Sequence, residues 1–308
     1  MADYALRLPD PSFYRLPICA DLAQAEAAAV ILGAPIATLY DSVGDYASGA
    51  PAAIRAAMNT PHLSHYDFEI DGSLLEAAYG PVVDGGDLVT SAGDFAGNRA
   101  AIAAAVQQVL ERGAVPIVLG GDDSVPIPVL QAYEGRGPLT ILQIDAHIDW
   151  RDEVDGEQQG LSSNMRRASE MGWVENIIQV GMRHVGSARR GEYQDALAWG
   201  ARFITARQVL RAGVECALDL IPAGADVYVA FDCDALDGSI MPAVMGPTPG
   251  GLGYWDVVDL LHGAAARGHI VGFNVVEFAP ARDADGRAAH LAGRIALNAV
   301  ALAARKGR

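Results

Sequence analysis

Residues 139–150, LTILQIDAHIDW, begin as a mostly aliphatic stretch and end with two carboxylates and an imidazole at alternate positions: Asp145, His147 and Asp149. In extended backbone, residues two apart share a side, so three candidate metal donors would emerge together where a strand stops. The C-terminal end of a buried strand is also where open α/β sheets hold their ligands. The same residues can be read more plainly, as a helix cap, a satisfied core histidine and a turn.

Other strand ends repeat the pattern. The apolar run 115–119 stops at Gly120, Gly121, Asp122, Asp123 and Ser124, and the run 227–231 stops at Asp232, Cys233 and Asp234, with Asp237 three residues on. The run 270–276 stops at Glu277. If these strands are parallel, Asp122, Asp123, Asp145, Asp149, Asp232, Asp234 and Glu277 collect on one rim with His147. So many acids in a low-dielectric cleft either take up protons or bind cations. An oxygen-rich set with one imidazole suits Mn²⁺ or a similar hard divalent ion, with enough donors for two. A pair of such ions would acidify a shared water and direct it at an electrophilic carbon. Cys233 should alternate to the opposite face and pack, while Asp122 and Asp237 should orient ligands or cap loops.

The elements that must position these residues are legible from the same patterning. Strands are expected near 28–36, 81–87, 115–119, 139–145, 177–182, 202–205, 226–232 and 269–277. Helices are expected from about 49 to 59, where Pro51 suits a first turn, and over 98–112, 124–134, 163–171, 190–198, 206–220, 254–266 and 287–304. Eight strands alternating with helices imply a single parallel sheet covered on both faces. Residues 1–27 carry Pro9, Pro11 and Pro17 and read as an irregular lead-in. No composition break or linker divides the 308 residues, so a single domain over 1–308 is expected.

With 51% hydrophobic and 19% charged residues, the chain can bury a sizeable core. The net charge of −16 argues against nucleic acid and fits a cationic small substrate or bound cations. Cys19, Cys216 and Cys233 show no paired spacing, so neither a disulfide framework nor a cysteine zinc site is suggested. We find no leader-like N-terminus and no membrane-spanning run, and expect a cytoplasmic protein with no membrane partner.

ILGAPI, SGAPAAIRAA, VVDGGD, VLGGDDS, QIDAHID, MRRASEMGWVENIIQVGMR, FDCDALDGSIMPAVMGPTPGGL and NVVEFAP together resemble the ureohydrolases, the family of arginases and agmatinases. DAHID and DCDALD are the strongest matches. The resemblance implies a three-layer α/β/α sandwich with an eight-stranded parallel sheet and a homo-oligomer, trimeric or hexameric. It implies an agmatinase-like hydrolase that cleaves a guanidino C–N bond, releasing urea and an amine. It makes Asp145 and Asp232 ligands bridging two divalent ions, Asp149 a ligand of the first, and His147 and Asp234 ligands of the second. Mn²⁺ is the expected metal, with Ni²⁺ or Co²⁺ as alternatives. Asp149 would also carry a proton to the departing amine, and Glu277 would pair with the guanidinium.

Two departures from the family pattern matter. Asp123 stands where the family has a metal-binding histidine; a carboxylate can still bind Mn²⁺, but the site becomes more negative by one charge, favouring a cationic substrate. No histidine occurs between His147 and His184, where many members carry one in the loop after the DAHID segment. Ser162, Ser163 and Asn164 occupy that region, and Trp150, Arg151 and Arg183 are further candidates for reading the substrate tail. A catalytically weak paralogue serving as a structural or regulatory subunit is one alternative. A single-zinc deacetylase-like amidohydrolase is the other, disfavoured by the second carboxylate of DCD and by Asp123.

Overall fold

A computed structural model describes residues 4–305 apart from Pro61, Leu63, Ser64 and Ser187. The chain runs β1 (Leu6–Arg7), β2 (Ala29–Ala34), α1 (Ala50–Ala57), β3 (Val82–Leu88), α2 (Phe95–Glu111), β4 (Val115–Gly120), α3 (Pro126–Gln131), β5 (Leu139–Ile144) and α4 (Asn164–Ser169). It continues through β6 (Val174–Val180), α5 (Arg190–Trp199), β7 (Arg202–Ile204), α6 (Ala206–Ala212), α7 (Glu215–Leu218), β8 (Asp226–Asp232), α8 (Tyr254–Arg267), β9 (His269–Val276) and α9 (Arg287–Ala304).

The strands form one sheet in the order β1-β3-β2-β4-β9-β8-β5-β6-β7. The eight expected strands are all present and mutually parallel. The sheet has a ninth strand as well. β1, in the expected lead-in, pairs antiparallel with β3 through Leu6 and Leu88. It escaped the sequence reading because two residues carry no periodicity; the β3 edge alone holds them. From Pro9 onward the lead-in is short 3₁₀ turns and loop, with one parallel bridge between Ile18 and Asp84.

Alternation along the strands builds the layers. Val30 and Leu32 enter one apolar core with Ile102 and Val106 of α2, Val129 of α3 and Ala196 of α5. Ala29 and Ile31 enter the other with Ile54 of α1, Leu260 of α8 and Ile295 of α9. The sheet is therefore the middle layer of an α/β/α sandwich, and β2 and β5 are buried at every residue. Local chemistry sets the helix ends. Thr205 caps α6 by accepting from Gln208 N at 3.3 Å, while Thr205 N donates to Gln208 Oε1 at 2.9 Å. The single helix expected over 206–220 divides there into α6 and α7, because Gly213 takes a left-handed φ of 77°.

The order of the strands positions the chemistry. β4, β9, β8 and β5 are consecutive across the middle of the sheet, so four strand ends far apart in sequence lie side by side at one edge. Nearby, α1 is fastened to β3 by the buried Arg55. Its Nε lies 2.8 Å from Asp84 Oδ2 and its Nη2 3.0 Å from Asp84 Oδ1, and Nη1 reaches Asp87.

Removing one partner from a buried pair strands the other charge, so Arg55→Ala should lower stability by about 3–5 kcal/mol in urea unfolding. A loss within the ~0–1 kcal/mol of an exposed pair would contradict this reading.

Candidate metal centre

Asp232 ends β8, and the other acids are placed by the backbone beyond their strands. After β4, Gly121 passes so close to Pro35 that a Cβ there would lie 2.0 Å from the Pro35 carbonyl oxygen. That close approach demands glycine. Gly121 O accepts the Glu277 N–H at 2.9 Å, joining the ends of β4 and β9. Asp149 and Glu277 both hold left-handed φ values, 49° and 66°. Such a conformation is uncommon for residues with side chains and clusters at sites where geometry is imposed from outside.

Asp145, His147 and Asp234 present donor atoms within 4.8 Å of one another, and so do Asp123, Asp145 and Asp149. The two groups share Asp145, which is the layout of two neighbouring cation positions with a common ligand. His147 Nδ1 sits 3.0 Å from Asp234 Oδ2 and 3.4 Å from Asp145 Oδ1. Asp232 belongs to neither group, although it lines the same cavity and accepts the Asp234 N–H at 2.6 Å. Cys233 points the other way, into the core beside Phe231, as the alternation requires.

Buried amides hold the acids. Gln143 Nε2 donates to Asp145 Oδ2 at 2.7 Å and to Asp149 Oδ2 at 2.8 Å. Asn164 Nδ2 donates to Asp123 Oδ2 and, at 3.1 Å, to the Asp123 carbonyl. Glu277 Oε1 accepts from the Tyr46 hydroxyl at 2.5 Å and from Asp123 N at 2.9 Å. Asp122 Oδ1 takes Ser124 N and Oγ, at 3.1 and 2.5 Å. Asp237 caps its own loop by accepting from Ser239 and Gly250. Tyr46, Gln143 and Gln179, described below, were not singled out from the sequence. The available signal was a lone glutamine near the end of each of two apolar strands; for Tyr46 there was none.

Asp123, Asp149, Asp232, Asp234 and Glu277 line a cavity of about 290 Å³ with His147, near the small end of the ~300–1,000 Å³ range of ligand pockets. Trp150, Arg151 and Ser162 form part of its wall with Tyr40, Leu161 and Met245. Three residues expected to read the substrate tail do something else. Arg183 spends its guanidinium on carbonyls, donating to Asp234, Leu236 and Thr248 at 2.7, 3.0 and 3.1 Å, so it staples the loops after β8 instead of lining the cavity. Ser163 is fully buried, and Asn164, the first residue of α4, turns beneath the cavity floor to Asp123.

The electrostatics follow from burial. Desolvation, reinforced by neighbouring acids, pushes Asp123, Asp149 and Asp232 well above the usual carboxylate range, and raises Asp145 too. Burial pushes Glu277 up to about 8 and Asp122 to about 6. Burial also opposes charge on His147, yet its hydrogen bonds to Asp145 and Asp234 prevail and hold the imidazolium up to about 12. Asp234 moves the opposite way, because His147 outweighs its burial. The cluster thus retains protons wherever no other cation balances it. An oxygen-rich set with one imidazole matches hard divalent ions, which would displace those protons.

A group whose pKa is raised by folding stabilises the fold at low pH and loses that contribution as pH rises through the folded value. For Glu277 and Asp122 the window runs from the ordinary carboxylate range to about 8 and about 6. His147 has the same sign, whereas Asp234 acts only below the ordinary carboxylate range. The thermal midpoint of EDTA-treated protein should therefore fall between about pH 5 and about pH 8, and saturating Mn²⁺ should flatten that slope. A midpoint that rises over this window in EDTA would contradict the assignment.

Residues 27–301 match the arginase family model. The agmatinase of Pyrococcus horikoshii is 32% identical over 261 residues, 80% of this chain and 82% of that protein. The N(1)-aminopropylagmatine ureohydrolase of Thermus thermophilus is 36% identical over 172 residues, 56% of this chain and 57% of that protein. Proclavaminate amidino hydrolase from Streptomyces clavuligerus superposes with a TM-score of 0.82 over the whole of both chains, at 27% identity. With a family match across nearly its full length, and the acids of its four central strand ends gathered at one edge, this chain belongs to the arginase family.

Proposed function

We propose that this protein is a binuclear metal-dependent hydrolase that cleaves a guanidino C–N bond of a small substrate, releasing urea and an amine. The observation that carries the reading is the pair of donor groups joined by Asp145, whose other members, Asp123, Asp149, His147 and Asp234, line one cavity with Glu277. The residues present fit two hard divalent ions, Mn²⁺ foremost and Ni²⁺ or Co²⁺ as alternatives. Asp123, Asp145 and Asp149 would hold one ion, and Asp145, His147 and Asp234 the other. Asp232, beside them, is the candidate second bridge. When bound, the ions supply an acidified water at neutral pH.

The side chains supply the rest. Glu277 has one oxygen occupied by Tyr46 and Asp123 N, which leaves Oε2 to receive a guanidinium N–H. Asp149, anchored through Oδ2 by Gln143, takes the proton released as water attacks and returns it to the leaving amine. Arg151 stands in the cavity wall about one-third exposed, with Glu192 3.7 Å away as its ion-pair partner among the described residues. It is placed to hold a carboxylate on the substrate tail, while Trp150 and Ser162 bound the same wall. A single-zinc site is less suited to two donor groups joined by a shared aspartate. No helix among the described residues is long and apolar enough to cross a membrane. By analogy with its family we expect a trimer or hexamer.

After reconstitution with Mn²⁺, and separately with Ni²⁺ or Co²⁺, urea should be released from at least one of agmatine, arginine, guanidinobutyrate, guanidinopropionate and guanidine. Absence of urea from all of them with two ions bound per chain would favour the catalytically weak paralogue. Glu277→Gln should retain both ions and lose roughly 10- to 100-fold in kcat/KM, the ~1.5–3 kcal/mol of a charged hydrogen bond. Undiminished kcat/KM would remove Glu277 from substrate binding.

A further inference from the structure

Two glutamines lie side by side beneath the acids. Gln143 of β5 and Gln179 of β6 are register partners in neighbouring parallel strands, essentially inaccessible to solvent. Gln179 Oε1 accepts the Trp150 indole N–H at 3.0 Å, and its Nε2 donates to the Ile148 carbonyl at 2.8 Å and to Gln143 Oε1. Gln143 Nε2 then donates to both Asp145 and Asp149. Every hydrogen-bonding atom of both amides is engaged.

The direction of this chain is fixed by chemistry. An indole N–H can only donate and a backbone carbonyl can only accept, so the Gln179 amide has one orientation that satisfies both. That orientation aims an N–H at Gln143, which obliges Gln143 to present its oxygen to Gln179 and its nitrogen to the carboxylates. The acids gain two neutral donors, each taking one oxygen and adding no charge to an already charged cavity. A flipped Gln143 would set its carbonyl against two carboxylates, which is repulsive in a site this dry.

We propose that Gln143 is a positioning residue for the cation position made by Asp123, Asp145 and Asp149, aimed by a one-way hydrogen-bond chain through Gln179 from Trp150. The inference rests on the reading that these acids hold cations. Gln143 tethers one oxygen of Asp145 and one of Asp149, so a single amide holds the two carboxylates at a fixed separation. Outer hydrogen bonds of this kind orient ligands and tune affinity. Trp150 is both wall of the substrate cavity and head of the chain, so the wall and this cation position are mechanically joined.

The test is Mn²⁺ titration by calorimetry, with metal content measured after dialysis and the urea-unfolding midpoint measured in EDTA. Wild type should bind two ions per chain; fewer would overturn the two-metal reading itself and with it this inference. Gln143→Met keeps the length and removes the donor. It should weaken one of the two binding steps by about 10- to 100-fold and the other by less, because Asp149 belongs to one position only while Asp145 is shared. Gln179→Leu and Trp150→Phe touch no carboxylate and serve even if Gln143→Met fails to fold. Both should weaken the same step by a smaller factor, because they only free the Gln143 amide to turn. If wild type binds two ions and folded Gln143→Met does so with both steps unchanged, the positioning role is wrong while the two-metal reading survives. If Gln179→Leu and Trp150→Phe both leave that step unchanged, the one-way chain is wrong.

Discussion

The structure depends on a concentration of buried acids that it cannot by itself keep ionised. Asp123, Asp145, Asp149, Asp232, Asp234 and Glu277 are all nearly inaccessible to solvent and share one edge of the sheet with a single imidazole. Carboxylates taken out of water at such proximity repel one another and lose hydration, and one histidine cannot balance them. The fold nevertheless holds them there, and of these acids only Asp234, paired with His147, has its charged form favoured. Such a site is one that divalent cations could balance.

What resists the repulsion is a scaffold of neutral donors and stiff backbone. Gln143 and Asn164 hold the acids through amide nitrogens, while the backbone N–H groups of Ala146, His147 and Asp234 accept no charge but steady Asp234, Asp145 and Asp232. Asp149 and Glu277 occupy left-handed conformations that the loops after β5 and β9 impose. At Asp123, where the family pattern has histidine, Asn164 donates to the carboxylate, so the acid has a donor of its own. The loop that lacks the family histidine supplies that asparagine, and the two departures of the sequence therefore meet in one contact.

Much of this was legible in one dimension. The eight parallel strands follow from short aliphatic runs closed by glycine and acids, because burial on both faces suppresses polar alternation. The donors follow from their types and their spacing of two. Less legible were residues whose role depends on who lies opposite. β1 is held only by the β3 edge. Arg183 is as cationic in sequence as Arg151, but the loops after β8 close around it and take up its Nη2 donors. Ser162 reaches the cavity and Ser163 does not, because Ser163 occupies the N-cap of α4 and is fully buried.

The sequence by itself determined which groups could bind cations and that each sits at the end of a strand, since residue type and two-residue periodicity are local properties. Only the tertiary structure decided that β9 and β8 insert between β4 and β5, bringing Glu277 against Asp123 and Asp234 against His147. It also decided that Gln143 faces Gln179 and that Tyr46 reaches Glu277. The physical reason is that hydrogen bonds between parallel strands do not depend on side-chain identity. Strand order is set by how the whole set of helices and apolar faces packs, and that information is spread over the chain and carried by no single segment.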